Sequence, residues 1–246
     1  MNIPLALAQT TAAFGHGATP ARAVAALSSA GSCESEDGIA SLDGIGFSRR
    51  LRRGQELFAE GDPAGSYYRV VSGAVRLLRL LPDGRRYVVD FSVAGDYFGV
   101  AAVHGYPYSA EAVIDTVVLA YSRRGVDDLI RHQPAVGSRF LELMSRELTA
   151  ACDQQLLLGR KTAPERLASF LMHLVQRSGQ AAAPRPELDL YMARIDIADH
   201  LGLTMETVSR GLNQLKRAGI IALPSPSRVL VLRLAALRRL HEGADE

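Results

Sequence analysis

Residues 194–215 read RIDIADHLGLTMETVSRGLNQL, and this stretch decides the architecture of the C-terminal third of the chain. Ile197, Ala198 and Leu201 recur at steps that put them on one helical face. Gly202 breaks the pattern where a sharp turn needs a backbone conformation that a side chain resists. Leu203 plugs the turn, and Thr204 opens a second helix as its cap, with Val208, Leu212 and Leu215 facing inward. A small residue at Ala198, across from Val208, lets the two helices cross closely. The spacing is that of a helix-turn-helix. Beyond it, Ile220-Ile221 and Val229–Leu232 flank Pro224–Arg228 and predict a closing hairpin, or wing.

A helix-turn-helix lays the N-terminal part of its second helix in the major groove. The residues expected to face outward there are Met205, Glu206, Ser209 and Arg210. Arginine bonds the O6/N7 edge of guanine bidentately, and a carboxylate accepts from the cytosine amino group. Serine or methionine touches a thymine methyl or a phosphate. Glu206 and Arg210 by themselves are an ordinary solvated i,i+4 pair. The cap, the turn glycine, the apolar inner face and the local charge tip the reading toward DNA. Residues 160–240 hold 13 Lys and Arg against 6 Asp and Glu, whereas residues 1–159 hold 15 against 17. The small overall net charge of +2 hides this asymmetry. A GC-rich genome explains arginine in place of lysine, but not its concentration in one half; that concentration points to a polyanion. Glu206, Ser209 and Arg210 are therefore the candidate base readers. Thr204, Met205, Thr207, Lys216, Arg217 and Arg228 are candidate accessory or phosphate contacts, which position without choosing sequence.

Working outward, 246 residues with 48% apolar content supply ample core and exclude wholesale disorder. No apolar run approaches the roughly 18–20 residues that cross a bilayer, and the Ala- and Gly-rich start lacks the pattern of a secretory signal. A cytoplasmic location and no membrane partner are expected. Residues 1–45 read as a poorly ordered extension with one short helix at Ala21–Ser28.

Residues 46–124 carry short apolar runs separated by turn clusters. The strand candidates are Gln55–Phe58, Tyr67–Ser72, Ala74–Leu81, Arg86–Phe91, Tyr97–Phe98, Ala110–Ile114 and Val117–Tyr121. Gly61-Asp62-Pro63, Ser72-Gly73, Pro82-Asp83-Gly84 and Ala94-Gly95-Asp96 punctuate them. The pattern predicts an antiparallel sandwich or roll. The fold class is then α+β: an N-terminal antiparallel β-roll, a long helix over 125–159, and a winged helix-turn-helix over 160–240, with 241–246 as a tail.

In the connecting segment Leu141, Met144, Leu148, Ala151, Gln155 and Leu158 follow alternating steps of three and four, the seam of a two-stranded coiled coil. Gln155 would fix register at some cost in stability. The alternative is that the stripe packs on its own β domain; a helix of this length favours a homodimer. Thr162 and Pro164 start the following helix, Ala163–Gln176, and a short strand is expected at Leu188–Tyr191.

Catalytic signatures are absent. There is no nucleophile elbow, triad arrangement or glycine-rich phosphate loop, so no enzyme activity is expected. The six histidines show no paired ligand spacing, and no metal or cofactor is expected. Cys152 reads as a small buried apolar residue in preference to a redox switch.

The order of β-roll, long helix and winged helix-turn-helix resembles the CRP/FNR superfamily of bacterial transcription regulators over about Phe47–Leu240. The supporting strings are Gly95-Asp96-Tyr97-Phe98-Gly99 and Thr207-Val208-Ser209-Arg210. Residues 156–163, LLLGRKTA, and 196–210, DIADHLGLTMETVSR, look most like the FixK branch. The resemblance implies that Glu206, Ser209 and Arg210 read a TTGAT-like half-site, that a homodimer binds an inverted repeat, and that RNA polymerase is a partner. It also implies control of nitrogen fixation or low-oxygen respiration genes, with oxygen sensed upstream by a two-component system. Cyclic-nucleotide binders of this superfamily carry a Glu after Phe-Gly and an Arg before Ser-Ala; the corresponding places here are Val100 and Tyr108, so no cyclic nucleotide is expected. An iron–sulfur sensor needs four thiolates, and the chain has two cysteines, Cys33 and Cys152. Gly211 stands where the family usually has a larger apolar residue, which predicts a looser recognition helix at a cost of about 1 kcal/mol. Two other readings stay open: a regulator gated by another small molecule in the roll, such as a dicarboxylate or haem, and a module acting through protein or RNA contacts.

Overall fold

The computed structural model describes Leu42, residues 44–100 and residues 105–243. The expected helix at Ala21–Ser28, Cys33, nearly all of the N-terminal extension and the last three residues of the tail lie outside the described residues.

Among the described residues, eight strands build the first module: β1 (Phe47–Leu51), β2 (Glu56–Phe58), β3 (Ser66–Ser72), β4 (Ala74–Leu80), β5 (Arg86–Val93), β6 (Tyr97–Phe98), β7 (Ser109–Ala112) and β8 (Thr116–Ser122). They form two antiparallel sheets in the orders β1-β8-β3-β6 and β2-β7-β4-β5, the expected roll. Sequence reasoning missed β1 because Ser48, Arg49 and Arg50 carry no apolar alternation; it is held by its register along β8, from Phe47 opposite Ala120 to Leu51 opposite Thr116.

Aromatic side chains fill the roll. Phe58 stacks on Tyr106 with ring centroids 3.7 Å apart and on Tyr68 at 5.4 Å, and Tyr68 stacks on Phe98 at 5.3 Å. Tyr106 uses its hydroxyl twice on one residue, donating to Ser66 O at 2.8 Å and accepting from Ser66 N at 3.1 Å. Gly99 N donates to the hydroxyl of the buried Tyr108 at 3.2 Å.

The connecting segment is two helices and not one: α1 (Arg123–His132) and α2 (Pro134–Arg160). Proline lacks the amide that would continue α1 and disfavours helical backbone in the residue before it, so the helix stops at Gln133 and restarts with Pro134 in its first turn. The 27 residues of α2 extend about 40 Å at the usual helical rise.

The C-terminal module contains α3 (Ala163–Arg177), β9 (Glu187–Asp189), α4 (Arg194–Leu201), α5 (Met205–Arg217), β10 (Ile221–Ser225), β11 (Arg228–Val231) and α6 (Leu234–Glu242). The last two strands are the expected wing, and β9 pairs with β11 to make a three-stranded sheet ordered β10-β11-β9. Sequence reasoning missed α6, which carries the module past Leu240 into the expected tail. Its signal was present in Leu234, Leu237 and Leu240, of which Leu237 is fully buried. Lys161 fastens it by donating to His241 O at 2.6 Å.

Leu167, Phe170 and Leu171 of α3, Ile197 and Leu201 of α4, and Val208 and Leu212 of α5 share one core. That core runs without a break into Val88 and Phe91 of β5, so apolar packing joins the two modules.

Candidate nucleic-acid interface

The interface is built from the turn between α4 and α5. Gly202 takes φ +61°, a left-handed conformation that ends α4, and a Cβ there would sit in contact with Arg166 and Leu158. Arg166 fixes this corner through three carbonyls. Its Nε donates to Lys161 O, Nη1 to Leu201 O and Nη2 to Leu158 O, each at 2.9 Å. One α3 side chain thus ties the end of α2 to the end of α4. Sequence reasoning missed Arg166, because nothing local marks an arginine whose partners are backbone oxygens.

Thr204 caps α5, its Oγ1 accepting from Thr207 N at 3.2 Å, and the two threonine hydroxyls lie 3.0 Å apart. Val208, Leu212 and Leu215 are buried as expected. Met205, Glu206 and Arg210 are exposed, and Ser209 and Thr207 are half-buried beside them. The three candidate readers therefore sit on consecutive turns of one outward face. The carboxyl of Glu206 is held below its usual range, first by the backbone amide at the helix start, then by the Thr204 hydroxyl and the Arg210 charge. It meets solvent as an anion beside a cation, and a carboxylate that stays ionised remains an acceptor only.

Lys216 and Arg217 are exposed in the last turn of α5. Arg228, at the wing, is already engaged: Nη1 lies 3.1 Å from Glu187 and Nε 3.4 Å from Asp189. Arg194, at the start of α4, donates from Nη2 to Pro226 O at 3.0 Å and so joins the wing tip to the helix pair.

Gly211, expected from sequence to loosen α5, lies against α3. A Cβ at that position would lie 2.8 Å from Leu167 Cδ2, so the glycine allows α5 to seat directly on α3.

The expected seam on α2 divides. Leu141 and Leu148 are 67% and 68% exposed, with Ala151 and Gln155 exposed beside them. Met144 instead packs toward Val126 and Val136, and Leu158 toward the C-terminal core. Leu156 is exposed on the open side, and so is Cys152, which corrects its reading as a buried residue. No group of metal-ligating residues occurs among the described residues, and no helix described is long and apolar enough to cross a membrane.

This geometry agrees with relatives across nearly the whole described chain. A cyclic nucleotide-binding domain matches residues 48–133, and a Crp-like helix-turn-helix domain matches residues 165–240. The chain is similar to the nitrogen fixation regulation protein FixK of Azorhizobium caulinodans, with 43% identity over 197 residues, 80% of this chain and 79% of that protein. It belongs to the FixK branch of the CRP/FNR family. FixK of Rhizobium meliloti is 38% identical over 82% of this chain and 91% of its own length. The structure of FixK2 from Bradyrhizobium japonicum superposes with a TM-score of 0.75 at 38% identity, covering 80% of this chain and 97% of that one. A CRP-family transcriptional regulator from Thermus thermophilus follows at 0.63 and 28%, covering 80% and 98%. Like other FixK-type members of the CRP/FNR family, this chain is a DNA-binding transcription regulator.

Proposed function

We propose that the chain is a cytoplasmic, homodimeric activator that reads a TTGAT-like inverted repeat and contacts RNA polymerase from the bound site. The observation that carries this reading is the outward face of α5, where Glu206 and Arg210 are exposed with the half-buried Ser209 between them while the opposite face is buried. Arg210 reads a guanine edge, Glu206 accepts from a cytosine amino group and Ser209 lies between them. Thr204, Met205, Thr207, Lys216 and Arg217 contact the backbone around them, with Arg228 from the wing. The exposed α2 stripe around Leu141 and Leu148 joins two copies, and twofold symmetry turns one half-site into an inverted repeat. The named relatives FixK and the transcriptional activator FnrL of Cereibacter sphaeroides support a role in nitrogen fixation or low-oxygen respiration.

The same reading includes no cyclic nucleotide and no catalysis. The roll interior is occupied by Phe58, Tyr68, Phe98, Tyr106 and Tyr108, and the two family positions that would grip ribose and phosphate are the buried, uncharged Val100 and Tyr108. Footprinting on an inverted TTGAT repeat tests the proposal. Protection of both half-sites at equal protein concentration, without added cyclic AMP, is the expected outcome. Binding that ignores substitutions in TTGAT overturns it.

A further inference from the structure

On the side of the helix-turn-helix away from the reading face, α4 carries a second set of charges, and these are not exposed. Asp196 is 2% exposed and sits between two guanidinium groups from the roll. Arg76 Nη1 on β4 lies 2.9 Å from Asp196 Oδ1, and Arg86 Nη2 at the start of β5 lies 2.7 Å from the same oxygen. Arg86 also reaches Asp199 Oδ2 at 2.7 Å, and the second arm of Arg76 takes Glu111 Oε1 at 2.7 Å. Glu111 is the residue directly opposite Arg76 in the β4–β7 register, so the sheet itself aims the Arg76 fork. One helical turn further, the buried His200 ring meets Val88 O through Nδ1 at 3.1 Å and packs edge-on against Phe91. At the far end of the same seam, Arg177 of α3 reaches back to Asp90 and Asp96 of the roll.

Asp196 is covered too well to be left unpaired cheaply, so the arrangement resists separation of the two surfaces more than wholly exposed pairs would. The arginine forks also fix direction, because each guanidinium bridges two carboxylates at once, and both contacts hold together only in a narrow range of geometry. Since α4 is rigidly joined to α5 through the Gly202 corner, whatever fixes α4 on the roll fixes the reading face relative to α2. We propose that Arg76 and Arg86 are positioning residues for DNA recognition. Through Asp196 and Asp199 they latch the helix-turn-helix to the β4–β5 hairpin and so set the separation and rotation of the two reading faces in a dimer.

The DNA part of this inference rests on the proposed reading of an inverted repeat, and its test separates the two. One base pair added to the centre of an inverted repeat turns one half-site by roughly 35° and shifts it by about 3.4 Å. A latched dimer discriminates sharply among such spacers. Binding by the full chain and by an Arg76→Ala/Arg86→Ala variant is measured on inverted TTGAT repeats whose spacer steps by single base pairs. The variant is expected to lose on the order of tenfold in discrimination between the best spacer and its neighbours. An Arg86→Asp/Asp199→Arg exchange is expected to recover much of the loss of Arg86→Asp alone. Unchanged spacer ranking, or an equal loss on every spacer, overturns the latch. A second measurement needs no DNA. Hydrogen exchange should rise in both Arg86–Val93 and Arg194–Leu201 of the double alanine variant, and unchanged protection at Arg194–Leu201 overturns the proposal. Failure of the unmodified chain to prefer any repeat would count against the DNA reading alone.

Discussion

The two sides of the helix-turn-helix carry the same kinds of charge in opposite surroundings. Outward, Glu206 and Arg210 lie in solvent, where their mutual attraction is screened and neither is locked to a distant part of the chain. Inward, the buried Asp196 and the half-buried Asp199 are engaged by Arg76 and Arg86 at the seam between the two modules. Solvation thus divides the labour: the wet pair is free to read, and the dry cluster orients. A carboxylate–guanidinium motif alone says neither; burial decides which.

The largest effect should come from the dry side. Asp196→Ala leaves two arginines facing an emptied site and is expected to cost about 3–5 kcal/mol in denaturant unfolding. A loss under about 1 kcal/mol would mean that the inward cluster behaves like the outward pair. Gly211→Leu drives a side chain into Leu167 and is expected to cost about 1–3 kcal/mol in the same assay; a stabilised protein would show that α5 is loose after all. Arg210→Ala should leave the unfolding midpoint alone, yet weaken binding to the repeat by about 1–3 kcal/mol while random DNA is held as before. Equal loss on both DNAs removes its assignment as a reader.

Acid provides a smaller perturbation of the dry side. Burial holds the rings of His200 and His173 below the usual histidine range, so the folded chain keeps them neutral while the unfolded chain protonates near pH 6.5. Asp90 and Asp153 oppose the shift and Arg177 adds to it at His173. The stabilisation is complete above that pH and falls as pH drops toward the depressed folded values, by up to about 1.4 kcal/mol per unit for each ring. Melting scans from pH 7.5 to 5.5 on the parent and a His200→Gln variant check the slope, which should be shallower in the variant. The weakest effect is expected for Glu206→Gln, which should leave melting unchanged and alter base preference alone.

The outward side was legible in the sequence and the inward side was not, for a reason of range. Thr204, Gly202 and the Val208, Leu212 and Leu215 face announce themselves within a few residues, so α4, α5 and the exposure of Glu206 and Arg210 follow from local spacing. The roll was legible from its turns. Arg76 and Arg86 meet α4 across separations of 110 to 120 residues, which no periodicity encodes. One local misreading was of another kind. Apolar periodicity outweighed Pro134 and joined α1 to α2, and the neighbour that Gly211 meets, Leu167, lies 44 residues away in the chain.

The wing arginine carries one more consequence. Arg228 is shared between Glu187 and Asp189 before any nucleic acid arrives. A phosphate approaching that edge displaces two protein anions and frees fewer condensed counterions than an uncommitted guanidinium would. The dependence of log K on log salt should therefore fall short of a tally of nearby basic side chains by about 0.9 per half-site, the contribution of one neutralised phosphate, and Glu187→Gln/Asp189→Asn should restore it.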